Sequence, residues 1–181
     1  KVDAMKDNVS GQTITLTTGI DPLVGTDKGD VFNATYNGTT PLTDGSTLTV
    51  LDSIDGGAGA DTLNVLSTVA LTVPAGVTVS NVETANFKGA DAVTANTTTW
   101  SGLTTANVTQ ATAATLTAAA TTDVNVSGIT VVNGDIVVKG GKNIVVTDAK
   151  AGGNITIGDA ANVPGDATGT ITITDTNNAK N

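Results

Sequence analysis

The chain has 181 residues and a formal net charge of −9, and it contains neither cysteine nor histidine. These absences exclude disulfides, Cys/His zinc sites, and catalysis by imidazole or thiolate within these residues. The acidic balance argues against nucleic acid as a partner, because no basic patch exists to neutralise phosphates. No apolar run reaches the length of a membrane span, so we also expect no membrane insertion.

Aromatic residues make up only 2% of the chain, and its apolar content consists mostly of small and β-branched side chains. This composition favours many short β-strands that each bury little surface. A solenoid tolerates such a composition, since each rung buries a thin layer against its neighbours. We therefore predict an all-β fold, a right-handed parallel β-solenoid of the β-helix or β-roll type.

The chain begins with a polar segment, residues 1–12, which we expect to be a linker or a capping segment. Its first residues do not look like a native start, and we expect the sequence to be a fragment of a longer chain. Residues 13–17 then alternate threonine with an aliphatic residue. Such alternation with period two predicts the first strand.

Two stretches in the first half of the chain, residues 16–33 and 47–64, repeat one pattern. Each reads as two nonapeptides, about one coil turn of roughly 18 residues. Asp21 and Asp30 of the first stretch correspond to Asp52 and Asp61 of the second, with a constant offset. Stacking of the two turns would place Asp30 beside Asp61 and Asp21 beside Asp52. The residues between them, 34–46, are predicted to form an inserted loop.

Residues 56–64 fit the nonapeptide G-G-x-G-x-D-x-U-x, in which U is a large aliphatic residue. This repeat is typical of calcium-binding β-rolls. Its glycines can adopt the positive φ angles of a tight loop, and carbonyl and carboxylate oxygens suit Ca²⁺. We therefore predict a Ca²⁺ site built from these residues: Asp21, Gly25, Asp27, Gly29, Asp30, Asp52, Asp55, Gly56, Gly57, Gly59 and Asp61.

A structural interpretation of the same residues competes with the metal site. Asp-Gly and Gly-Gly dipeptides are ordinary turn sequences, and one glycine-rich motif would be only moderately specific. The duplicated frame favours calcium. Within it we expect the Asp30–Asp61 pair to bind Ca²⁺ better than the Asp21–Asp52 pair, because glycines are largely missing before Asp52.

The second half of the chain, residues 88–181, continues a series of short β-branched strands that begins at Phe87 and recurs at intervals near 20 residues. Their predicted centres form one series through Phe87, Val108, Val126 and Val145, and a second through Ile136, Ile155 and Ile173. We expect these rungs to continue residues 13–87 as one domain. The Ala/Thr-rich stretch 109–122 has no clear helical stripe, and strand is favoured over helix there. The segment around Pro164 is predicted to be a loop.

Catalysis finds little support in the sequence. Glu83 is the only glutamate, and it could in principle pair with an aspartate as a glycosidase acid. Sugar-binding clefts usually offer several aromatic platforms, however, and aromatic residues are few here. We expect no enzyme, with Glu83 on the outer face of a rung and Trp100 as a packing residue.

Residues 15–26 with 29–32, residues 52–64 and residues 76–84 together resemble the RTX-type calcium-dependent surface-layer (S-layer) proteins of Gram-negative bacteria, closest to the Caulobacter type. The resemblance spans residues 13–87. The remaining residues are similar only in composition, as a solenoid rich in threonine, alanine and valine. It implies type I secretion, a place at the bacterial cell surface, and calcium-dependent folding and lattice self-association. An outer-surface polysaccharide would be a partner of parts of the chain outside this fragment. Asp27 and Lys28 depart from the residues common at that place in the motif.

The sequence leaves three functions open. The leading prediction is a structural, calcium-binding segment of a secreted S-layer protein. The alternatives are a repeat module of a large RTX adhesin and the calcium-binding flank of a secreted hydrolase. A lattice protein would self-associate on addition of Ca²⁺, whereas an adhesin module would stay monomeric.

Overall fold

The computed structural model describes residues 10–38, 43–148, 153–158 and 166–175. Within these residues the chain is all-β, and each strand is short. The strands, in chain order, are β1 Thr13–Thr15, β2 Pro22–Val24, β3 Val31–Tyr36, β4 Ser53–Asp55, β5 Thr62–Ser67, β6 Leu71–Thr72, β7 Thr78–Ser80, β8 Thr84–Gly89, β9 Val93–Asn96, β10 Thr105–Gln110, β11 Ala114–Ala118, β12 Asp123–Ser127, β13 Ile136–Gly140, β14 Ile144–Asp148, β15 Ile155–Ile157 and β16 Ile171–Asp175. No helix long and apolar enough to cross a membrane occurs in this part of the chain.

The strands form three parallel sheets that run along a coil of about six turns. The long sheet has eight strands in the order β1-β3-β5-β8-β10-β12-β14-β16. A five-stranded sheet, β15-β13-β11-β9-β6, and a three-stranded sheet, β2-β4-β7, form the other sides. Because each strand pairs with one a full turn away, the described residues form a parallel β-solenoid, as predicted, and the arrangement agrees with a right-handed β-helix.

The first two turns stack with the predicted offset. Val31 pairs with Thr62 in the long sheet, and Pro22 pairs with Ser53 in the three-stranded sheet. The inserted loop starts later than predicted, because β3 continues to Tyr36. Ala34 and Tyr36 point into the core while Thr35 lies between them on the outer side, so strand pairing persists through these residues. Residues 39–42 of the predicted loop lie outside the described residues.

The core is a narrow column inside the coil, one side chain deep for each strand and turn. One line of inward residues in the long sheet is fully buried: Phe32, Leu63, Ala85, Ala106, Val124 and Ile144. The side chains along this line are large at both ends and small at Ala85 and Ala106 in its middle, and all of them are buried. The aliphatic composition is thus matched to a core that consists of stacked layers.

The Ala/Thr-rich stretch forms strand rather than helix, as predicted. In β11 Ala114, Leu116 and Ala118 point inward, and Thr115 and Thr117 point outward. Trp100 is buried and its ring lies 6.1 Å from that of Phe87, which confirms its predicted packing role.

The assignment of Ile173 to the second strand series is wrong. Ile173 pairs with Val146 in the long sheet, whereas Ile136 and Ile155 pair with each other in the five-stranded sheet. The two series have nearly the same period, so spacing alone could not assign a strand to one side of the coil. The predicted loop around Pro164 lies outside the described residues.

Candidate metal site: a buried carboxylate ladder

Four aspartates of the predicted site lie directly before strands. Asp21 precedes β2 and Asp52 precedes β4, while Asp30 precedes β3 and Asp61 precedes β5. All four are buried, with at most 7% of the residue exposed. Since the two turns stack in register, Asp30 lies beside Asp61 and Asp21 beside Asp52, as the sequence predicts.

Backbone hydrogen bonds link these carboxylates from rung to rung. The N–H of Asp30 donates to Asp61 Oδ1 at 2.6 Å, and the N–H of Asp61 donates to Glu83 Oε2 at 2.7 Å. The N–H of Gln12 donates to Asp30 Oδ1 in the same way. We call Asp30, Asp61 and Glu83 the carboxylate ladder. Each of its carboxylates satisfies an amide at the bend before a strand, where no strand partner is available.

Asp30 has a partner for each carboxylate oxygen. The Thr26 N–H donates to Oδ2 and the Thr26 hydroxyl lies within hydrogen-bonding distance of both oxygens. Burial alone would raise the pKa of Asp30, but the hydrogen bonds from Thr26 and Gln12 outweigh it and hold the pKa below its usual value. Threonine plays the same part elsewhere, since Thr17 donates to Asp21 and Thr49 donates to Asp52.

Asp61 lacks this support. Gly57 stands where Thr26 stands one turn earlier, and its N–H donates to Asp55 Oδ1 at 3.1 Å instead. Asp61 Oδ2 is therefore buried without a hydrogen-bond partner, and no other buried side-chain oxygen or nitrogen in the described residues shares this condition. Burial raises the pKa of Asp61, and the neighbouring charges of Glu83, Asp30 and Asp55 raise it further.

The predicted glycines are required where neighbouring loops touch. A Cβ at Gly56 would lie 2.7 Å from Asp61 Oδ2 and would collide with the Asn81 carbonyl oxygen. Gly25 meets Asp30 Oδ2 and the Gly56 carbonyl in the same manner. Gly57 and Gly59 have positive φ angles of 88° and 130°, and a Cβ at Gly29 would lie 2.7 Å from the Ala60 carbonyl oxygen. The loops therefore approach one another too closely for side chains.

Two other predicted ligands lie apart from the ladder. Asp27 is exposed and forms an ion pair with Lys28, 3.2 Å away, on the surface of the loop. Asp55 accepts hydrogen bonds from Gly57 N–H and from Asn81 Nδ2, the latter at 2.8 Å. The Asn81 hydrogen bond, followed by that of Gly57, lowers the pKa of Asp55.

Fewer of these residues are available to bind Ca²⁺ than the sequence predicts. Within the described ranges, no group of three or more Asp, Glu, His or Cys side chains is arranged to hold a metal ion. The carboxylates of Asp21, Asp30 and Asp52 already face N–H and O–H donors. Asp61 Oδ2 is the atom best suited to a hard cation such as Ca²⁺. It is a buried carboxylate oxygen that accepts no hydrogen bond, and the charges of neighbouring carboxylates act on it.

The sequence predictions placed Glu83 on the outer face of a rung and not in the ladder, and they gave the threonines no role. Glu83 precedes β8 just as Asp61 precedes β5, and both are followed by threonine at the start of a strand. Thr17 and Thr26 each stand four residues before their aspartate, a spacing that Gly57 and Asp61 share without the hydroxyl. The sequence therefore contained two usable patterns: an acidic residue directly before a strand that begins with threonine, and a threonine four residues before an aspartate.

No protein-family model and no curated protein matches this chain.

Proposed function

We propose that this chain is a structural, calcium-binding segment of a secreted bacterial surface-layer protein. The observation that carries the proposal is the buried, unpartnered Oδ2 of Asp61 in the middle of the carboxylate ladder. The solenoid fold and the resemblance of residues 13–87 support it. Export, the cell-surface location and lattice formation enter the proposal through that resemblance, and the lack of enzymatic activity enters it through the absence of histidine and cysteine and the scarcity of aromatic residues.

Calcium would neutralise a charge that the fold leaves uncompensated. A buried carboxylate without a partner costs stability, and an ion that supplies positive charge there offsets the cost. Asp61 would hold the ion, with Glu83, Asp30 and Asp55 as sources of further negative charge. An ion that binds only the folded coil stabilises it by mass action. The folded chain would then be more stable outside a cell, where calcium is abundant, than inside.

The substitution Asp61→Asn tests this role directly. Asparagine retains an oxygen for the Asp30 N–H but removes the unpaired charge. In EGTA we expect Asp61→Asn to raise the free energy of unfolding by about 1–3 kcal/mol, because it removes a buried charge that the neighbouring carboxylates repel. In millimolar Ca²⁺ we expect the wild-type chain to gain stability and the variant to gain none. Thermal and denaturant unfolding followed by circular dichroism, with calorimetric titration of Ca²⁺, measure both effects.

Asp30→Asn is the matched control, one rung away in the same ladder. Both Asp30 oxygens accept hydrogen bonds from Thr26 and Gln12, so this substitution should lower stability with and without Ca²⁺. The calcium proposal fails if the wild-type chain has the same stability in EGTA and in Ca²⁺. Electron microscopy after Ca²⁺ addition separates a lattice protein, which forms ordered sheets, from an adhesin module, which does not.

A further inference from the structure

The turn before β13, residues 131–134, contains the dipeptide Asn133-Gly134. Only two asparagines of the chain are followed directly by glycine, Asn37 and Asn133. In such a pair the side-chain amide carbon lies within reach of the next backbone nitrogen, and glycine has no Cβ to shield that nitrogen. Both pairs are therefore candidates for spontaneous deamidation, in which the backbone nitrogen displaces the nitrogen of the side-chain amide.

The asparagines within the long sheet are protected from this reaction. Asn86 is typical, because Phe87 follows it and a bulky side chain on the next residue hinders the attacking nitrogen. Its Nδ2 donates to Asn64 Oδ1 at 2.9 Å, and its Oδ1 accepts a hydrogen bond from Asn107 Nδ2 at 2.8 Å. The reaction would have to break these hydrogen bonds and disturb the pairing of β8.

Asn37 is held by the loop that follows β3. Its Nδ2 donates to Gly45 O, and its backbone N–H donates to Ser46 Oγ, both at 2.9 Å. The side-chain amide must break the first of these hydrogen bonds before it can turn toward Gly38. We therefore expect the fold to slow deamidation at Asn37.

Asn133 has none of these restraints. It is exposed, and in the described residues neither its side chain nor the Gly134 N–H takes part in a hydrogen bond. Its φ angle is 66°, and Asn81 is the other described non-glycine residue with a positive φ. This left-handed conformation is unfavourable for a residue with a Cβ. The turn thus combines a free amide, a free backbone nitrogen and a conformation that costs energy to hold.

The backbone of Gly134 is packed tightly against the turns on both sides. A Cβ at Gly134 would lie 2.0 Å from Thr112 O, and a Cβ at Gly153, one turn later, would lie 2.0 Å from Gly134 O. Directly after Gly134, Asp135 Oδ1 accepts the N–H of Asn154 at 2.8 Å, and β13 begins one residue later. A main chain lengthened at residue 133 would displace these contacts.

From these features we propose that Asn133 deamidates spontaneously in the folded chain, and that its isoaspartyl product loosens the start of β13. Gly134 N forms a bond to Asn133 Cγ, and the Cγ–Nδ2 bond breaks. The proton of Gly134 N leaves with Nδ2 as ammonia, and a five-membered succinimide ring remains. Water then opens the ring: hydrolysis of one ring C–N bond gives aspartate, and hydrolysis of the other gives isoaspartate, whose main chain runs through the side chain.

The two products should differ in their effect on the fold. Aspartate adds one negative charge beside Asp135 and leaves the main chain as it was. Isoaspartate adds the same charge and also lengthens the main chain by one methylene, for which the contacts of Gly134 leave no room. The reaction consumes only water, so this inference goes beyond the proposed function and depends neither on calcium nor on cellular location.

Incubation of the folded chain in mildly alkaline buffer tests the site. Peptide mass spectrometry should show a gain of about 1 Da at Asn133, with fragment ions that distinguish isoaspartate from aspartate. We expect Asn133 to react about two- to tenfold faster than Asn37, the factor set by one hydrogen bond that must break first. In urea, where the fold is lost, the two pairs should react at similar rates. A folded chain in which Asn37 reacts as fast as Asn133, or in which neither reacts, would overturn the proposal.

Asn133→Gly and Asn133→Asp separate the reaction from its consequence. Glycine tolerates the positive φ and removes the reactive amide, so this variant should stay unchanged on incubation. Asn133→Asp reproduces the charge of the aspartyl product. The isoaspartyl form of the aged wild-type chain, isolated by ion exchange, should lose hydrogen-exchange protection in β13 and β15 relative to both variants, while circular dichroism confirms that the chain is folded. Equal protection in the isoaspartyl chain and in Asn133→Asp would refute the loosening of β13.

Discussion

At the scale of single residues, one sequence difference between two stacked loops decides whether the pKa of a buried aspartate is raised or lowered. Asp30 and Asp61 both accept a backbone N–H from the preceding rung, yet burial raises the pKa of Asp61 while hydrogen bonds lower that of Asp30. The difference follows from Thr26 and Gly57, which occupy the same position in the two loops. Threonine supplies an N–H and a hydroxyl to Asp30, and glycine leaves Asp61 Oδ2 without a donor.

The raised pKa of Asp61 predicts that the stability of the fold depends on pH. A proton on Asp61 should stabilise the fold as we expect calcium to do, because each neutralises the buried charge. A carboxyl whose folded pKa is raised contributes stability below its unfolded pKa, and this stability is lost as pH rises through the folded pKa. In EGTA the stability advantage of Asp61→Asn over the wild-type chain should therefore shrink as pH falls from 7 to about 4, near the ordinary pKa of aspartate. Urea unfolding at a series of pH values measures it. A constant difference over this range would show that Asp61 keeps its charge at little cost.

At the scale of elements, the outer face of the long sheet carries a second ladder. Asn33, Asn64, Asn86, Asn107 and Asn125 occupy equivalent positions in β3, β5, β8, β10 and β12. The Nδ2 of each donates to the Oδ1 of the one before it, at distances from 2.8 to 3.0 Å. A shift of one residue in any strand would turn its asparagine into the core. The asparagine ladder therefore helps to hold the register that the inward aliphatic residues also favour.

Asn86→Ala should weaken the sheet at its middle. The substitution removes one hydrogen bond to Asn64 and one from Asn107, and each is worth about 0.5–1.5 kcal/mol. We expect a loss of about 1–3 kcal/mol in the free energy of unfolding, measured by urea denaturation. Thr94→Ala, at an exposed outward position of β9, is the control and should change stability by less than about 0.5 kcal/mol. Equal effects of the two substitutions would contradict a stabilising role for the ladder.

At the scale of the whole molecule, stability is distributed along one axis. Each inner strand of a sheet pairs with a strand of the turn before and one of the turn after, so the coil behaves as a row of layers coupled to their neighbours. A substitution in one layer should therefore change the stability of the adjacent layers strongly and that of distant layers weakly. The carboxylate ladder lies in the first turns, far from β13 and β14.

Hydrogen exchange should reveal this locality. If calcium binds at Asp61, a concentration about 100 times Kd should slow exchange of amides that open only after the ion leaves by about 100-fold. We expect EGTA to abolish this protection in β4 and β5 and to leave β13 and β14 nearly unchanged, as mass spectrometry of peptic fragments would measure. A uniform loss of protection would show that the coil opens as one unit.

Much of the architecture was determined by the sequence alone. The alternating threonine and aliphatic residues, the recurrence near 20 residues and the offset between Asp21/Asp30 and Asp52/Asp61 predicted a parallel coil with two stacked turns. These are local or periodic properties, and in a solenoid the periodic pattern is itself the fold, because each layer repeats the contacts of the last.

Only the tertiary structure decided the chemistry of the aspartates. The nonapeptide predicted carboxylates turned toward a cation, but in the fold most of them accept amides from the neighbouring rung. Which amide each one meets depends on the loop above it, and that neighbour lies 18 to 31 residues away in the chain. The placement of Glu83 in the ladder and of Ile173 in the long sheet was decided in the same way, because stacking brings together residues whose relation no local pattern records.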